Sequence, residues 1–73
     1  MQLYELGVKQ NEAGLLLEAN VYLSDAIFEY LRYADAYYQR GMSFYGLEKI
    51  SHAIRDLDAA TQLKVKSVHA YTT

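Results

Sequence analysis

The side chains in this sequence that could do chemistry are two histidines, a scatter of carboxylates and eight tyrosines. His52 sits beside Ala53 in an apolar-periodic segment and His69 lies near the end. Neither belongs to a serine, cysteine or metal-ligand constellation at a meaningful spacing, so each reads as a surface histidine. Asp56 and Asp58 are two apart. On a helix that spacing sends them to different faces, which is wrong for paired-carboxylate work. No glycine-rich phosphate loop and no metal motif occurs. No catalytic residue, metal ligand or cofactor site is therefore expected, and the chain is read as not an enzyme. The tyrosines remain. Each offers a large apolar body with a polar tip, which suits a surface that meets another protein; the plainer role for any one of them is to fill a small helical interface.

Size and composition narrow the classes further. Seventy-three residues make one small domain, close to the lower limit for folding on a core alone. The apolar share of 52% is too high for a disordered tail, and 7 basic against 9 acidic residues leave a net charge of −2. A nucleic-acid binder would carry a clustered basic face, so nucleic acid is not an expected partner. With no cysteine there is neither a disulfide framework nor a thiolate metal site. The longest apolar run, Ala13 to Leu17, is far short of a membrane span, and no secretory start is evident. A cytoplasmic protein is expected, peripheral at most to a membrane-associated complex.

What must position the tyrosines is a repeat. Displaced by 34 residues, the sequence matches itself: Tyr4 falls on Tyr38, Gly7 on Gly41, Ala19 on Ala53, Leu23 on Leu57, Ala26 on Ala60, Ala36 on Ala70 and Tyr37 on Tyr71. A period of this length marks stacked helix-turn-helix units, each too thin to bury its own apolar face. The spacing predicts helices over about Gln2 to Glu12, Leu16 to Leu31, Asp35 to Tyr45 and Lys49 to Lys64, with breaks at Ala13-Gly14, Arg32 to Asp35 and Gly46. The absence of proline suits an all-helical chain. Ser24 and Asp25 are expected to face solvent. Unit one covers 1–33, unit two 34–67, and 68–73 begins a third, all within one domain. Gly7 and Gly41 fall where the two helices of a hairpin cross, and Ala19 and Ala53 are small for the same reason, with larger residues filling the space between.

These residues resemble a tetratricopeptide repeat protein. Unit two carries most of the likeness, in Ala36-Tyr37-Tyr38-Gln39-Arg40-Gly41, Phe44-Tyr45-Gly46-Leu47, Ile50, Ala53-Ile54, Leu57 and Ala60; unit one adds Leu3, Leu6-Gly7, Gly14, Ala19, Leu23 and Ala26. The stretch from Tyr33 to Gly41 looks especially like bacterial repeats of the family, cyanobacterial ones among them. The resemblance implies an all-α fold of helical hairpins stacked as a short right-handed superhelix. Departures are clear: Leu31 and Val65 stand where the family usually has proline, so the second helix is free to run on, and Asn20 and Glu29 stand where unit two has Ile54 and Leu63.

In such arrays the first helix of each hairpin lines a concave groove. The residues assigned to it here are Tyr4, Val8, Asn11, Tyr38, Gln39, Met42 and Tyr45. Tyr4 and Val8 occupy places where some relatives hold lysine and asparagine to clamp an acidic C-terminal tail, so that specificity is not expected. A rival contact lies on the outer face of the second helix at Val21, Tyr22, Asp25 and Phe28, whose counterparts Arg55, Asp56, Ala59 and Gln62 read as a solvated set. Tyr22 and Phe28 are its chosen contacts. The expected function is a non-catalytic protein–protein interaction module, a scaffold, linker or assembly subunit in a hetero-complex or homo-oligomer, with the cyanobacterial likeness extending this to an antenna or photosystem complex. Two alternatives stay open: a helical-repeat RNA-binding protein, and an assembly chaperone holding a peptide or helix in the concave groove. The end of unit two around Ile50, Ile54 and Leu57 is expected to need a partner or a second copy as cover.

Overall fold

Four helices account for nearly the whole chain. In the computed structural model, which describes the backbone of residues 2–72 and the side chains of residues 2–64, α1 spans Leu3–Glu12, α2 Leu16–Glu29, α3 Ala34–Gly46 and α4 Ile50–Thr72. No strand occurs among the described residues, and the fold is all-α. α1 packs on α2 and α3 on α4, α2 meets α3, and α1 also touches α3. The least dimension is 18 Å, about the thickness of two helices laid side by side.

Small residues set the distance between paired helices. A Cβ on Gly7 would sit 2.5 Å from Cγ of Leu23, and one on Gly41 would sit 3.0 Å from Cγ of Leu57 and 3.3 Å from the Ala53 carbonyl oxygen. Ala19, Leu23 and Ala53 are buried. The predicted crossing points are thus where the helices meet. Gly46 makes a third close approach, to Leu16 of α2. Ala26, Ile27 and Ala36 form a core cluster between α2 and α3, against which Leu3, Tyr4, Tyr33 and Tyr37 pack.

The two hairpin turns share one geometry at the same 34-residue displacement. In the first, Leu15 N–H donates to the Gln10 carbonyl at 2.9 Å and Gly14 N–H to that of Asn11 at 3.0 Å; in the second, Lys49 N–H donates to Phe44 at 2.9 Å and Glu48 N–H to Tyr45 at 3.0 Å. This pair of bonds satisfies the last carbonyls of a helix when the next residue takes the left-handed conformation. Gly14 takes it at φ 81°, and its counterpart Glu48 at φ 64°. The second break is therefore Glu48, and Gly46 belongs to α3.

Other boundaries shift as well. α2 ends at Glu29, two residues before the predicted Leu31, because Tyr30 is extended (φ −133°, ψ 91°) and the chain turns at once, with Tyr33 N–H donating to the Tyr30 carbonyl at 3.1 Å. That turn delivers the Tyr33 ring onto Tyr4, with centroids 4.9 Å apart. At the other end α4 continues past Lys64 to Thr72, as the missing proline allows, so the boundary drawn between 67 and 68 falls inside one helix. The side chains of Val68, His69, Ala70 and Tyr71, on which the third unit and one histidine assignment rest, lie outside the described residues.

Candidate functional site

α1 and α3 lie side by side and are pinned by a polar tie. The Asn11 amide donates to the Gln39 carbonyl at 3.0 Å and to its side-chain Oε1 at 3.2 Å, while the Ser43 hydroxyl donates to Asn11 Oδ1. Ser43 is fully buried, so its hydroxyl needs an acceptor, and it has the Gln39 carbonyl at 3.3 Å beside Asn11 Oδ1. Asn11 and Gln39, assigned to partner contact, spend much of their hydrogen-bonding capacity holding the two helices together. Ser43 was not singled out in the sequence; lying one turn from Gln39, its signal was a small hydroxyl in an otherwise aromatic stretch.

Across this pinned pair runs a shallow face. One depression of 320 Å³ is lined by Tyr4, Glu5, Val8, Lys9 and Glu12. A second, of 340 Å³, is lined by Asn11, Glu12, Leu16, Tyr38, Gln39 and Met42. Glu12 belongs to both, so the two make one continuous surface from α1 onto α3. Tyr38 and Met42 are about half exposed there, and Tyr45 at 63% exposure stands at the far end of α3.

On the outer face of α2, Leu17 takes the place that the sequence assigned to Tyr22. Leu17, Val21 and Phe28 are exposed, Phe28 at 86%, and with Asp25 they follow the three- and four-residue spacing of one helical stripe. Tyr22 is half-buried and lies off that stripe. Its counterpart Asp56 is not solvated, as expected, but buried at 5% exposure. Asp56 accepts from Arg40 Nε at 2.7 Å and from Nη2 at 2.8 Å, while Nη1 donates to the Ser24 hydroxyl at 3.3 Å. Ser24, expected to face solvent, thus ties α2 to α3. Tyr37 and Phe44 place their rings 5.6 and 5.8 Å from the same guanidinium. The bond to Asp56 raises the Arg40 pKa further above its ordinary value, against the opposing effect of burial. One signal for this pair was present: positions 40 and 56 correspond to Leu6 and Tyr22, and both turn charged together.

At the end of the molecule formed by the start of α1 and the α2–α3 turn, Tyr4, Tyr30 and Tyr33 gather. Tyr33 stacks on Tyr4 and meets Tyr30 edge-on, at 6.2 Å and 77°. Burial, and then the Asp35 carboxylate, push the Tyr4 and Tyr33 phenols above their ordinary pKa of 10.0, with Tyr33 adding to the first and Glu5 and Tyr30 to the second. Both remain neutral phenols at physiological pH.

His52 is exposed and lies against the Phe44 ring at 5.0 Å. Among the described residues no group of three His, Cys, Asp or Glu side chains could hold a metal ion, and no helix is long and apolar enough to cross a membrane. Comparison of the chain with protein-family models, curated proteins and solved structures finds no match.

Proposed function

We propose that this chain is a non-catalytic protein–protein interaction module, built of two tetratricopeptide-like hairpins and working as a scaffold, linker or assembly subunit. The observation that carries this reading is the continuous face over α1 and α3. Its backbone is pinned by Asn11, Gln39 and Ser43, yet Tyr38 and Met42 stand half exposed along it, with Tyr45 beyond. A rigid frame that presents aromatic and methionine side chains loses little entropy on binding, and such side chains anchor a helix or an extended peptide. The shared turn geometry at a 34-residue displacement supports the stacking of like units. RNA binding is disfavoured by the same face, where Glu5 and Glu12 outnumber Lys9.

A peptide display selection on the purified chain tests this reading. Val8→Glu and Met42→Glu are expected to abolish binding of the selected peptides, and Phe28→Asp to leave it intact. Loss with Phe28→Asp alone would move the site to the outer face of α2. Tight, salt-sensitive retention of RNA would replace the reading altogether.

A further inference from the structure

The tyrosine cleft at the α1 start is a second site of different chemistry, sharing with the α1–α3 face only Tyr4. It has a volume of 360 Å³ and is lined by Gln2, Leu3, Tyr4, Glu29, Tyr30 and Tyr33 over Ala26. That is at the small end of the range for ligand pockets, too small for a helix and suited to one side-chain head. Tyr30 and Tyr33 stand at 77° to each other and so form two walls of a corner. Tyr4, stacked on Tyr33, lines the cleft with them.

The electrostatics of this corner favour a cation. Ring faces carry the negative end of the aromatic quadrupole. Glu29 is the one charged side chain lining the cleft among the described residues, and the Glu5 and Asp35 carboxylates act on the same phenols from outside it. Two cations lie nearby. Lys64 pairs with Asp35 at 3.4 Å, both side chains well exposed, and Arg32, with Phe28 and Leu31, lines a shallower adjoining depression that shares Glu29, Tyr30 and Tyr33 with the cleft. Neither lines the cleft itself. Elsewhere the protein sets its own Arg40 beside two rings, but that guanidinium is already bound by Asp56 and Ser24.

We infer that the Tyr4–Tyr30–Tyr33 cleft binds an alkylammonium group, of the kind carried by a methylated lysine side chain or by a free choline-type amine. The inference stands whether or not the α1–α3 face takes a peptide. The test is an NMR titration of the full chain with three probes: N-acetyl-trimethyllysine amide, choline, and the uncharged tert-butyl analogue of choline. Saturable shifts are expected at Gln2, Leu3 and Tyr33, with at least one cation binding about five-fold more tightly than the neutral analogue. Tyr30→Leu, which keeps an apolar side chain at a 61% exposed position, and Glu29→Gln should each weaken binding by about three-fold. Trimethyllysine binding alone identifies a protein side chain as the source, and equal binding of choline a free amine; both support the inference. Equal affinity for the neutral analogue, shifts mapping elsewhere, or no shifts with any probe would overturn it.

Discussion

Gly7, Gly41 and the Arg40–Asp56 pair decide how close the helices come. A methyl added at Gly7 meets Leu23, which is fully buried and has nowhere to move. Gly7→Ala should therefore cost about 2–3 kcal/mol despite its gain in helix propensity. Gly41→Ala meets the half-buried Leu57 at a longer distance and should cost less than half as much; chemical denaturation of both variants checks the order. The ion pair is a second residue-scale case. Asp56→Ala strands a guanidinium that is only 22% exposed, and a loss of about 2 kcal/mol is expected. Arg40→Leu combined with Asp56→Tyr installs the pair that unit one carries at positions 6 and 22, and should recover at least half of that loss in the same measurement.

At the scale of elements, the hairpin turns give the sharpest expectation. Glu48 holds at φ 64° a place that Gly14 fills at φ 81° in the other unit, and a side chain there costs about 1 kcal/mol. Glu48→Gly should raise stability by roughly that amount, read as a higher denaturation midpoint at unchanged slope. The four helices and their crossing points were legible in the sequence because apolar and small residues recur at helical spacing and again 34 residues on. The turn at Glu48 was not, since glutamate carries no turn signal and Gly46 two residues earlier does. Nor was the early stop of α2, where Tyr30 turns extended and the chain brings Tyr33 onto Tyr4 across 29 positions, a tertiary contact that no local pattern encodes. Among the proposed contacts, the exposure of Tyr38, Met42 and Phe28 followed from helical phase. The inward roles of Asn11 and Asp56 did not, because polar residues on a small helical domain read as solvated until their partners are known.

The whole molecule is a thin stack with a sparse core. Among the described residues, five of the seven buried hydrophobic ones are alanines, while Leu17, Val21, Phe28, Leu31, Ile50 and Ile54 stay exposed. Ile50 and Ile54 repeat the places of Leu16 and Asn20, and Leu16 lies against Gly46 of α3; on α4 the two isoleucines are about half exposed. Helical repeats generally need about three units for stability. Circular-dichroism melts of the chain alone should give a low midpoint that rises with protein concentration, whereas a high, concentration-independent midpoint would show that these faces need no cover. Whether the α1–α3 face holds another protein is decided by placing a photoreactive benzophenone amino acid at Tyr38 and, separately, at exposed Arg55 on α4. Irradiated in its native cell extract, the chain should form a discrete protein adduct from position 38 and none from position 55. No adduct from position 38, or the same adducts from both positions, would mean that the α1–α3 face is not a protein-binding surface.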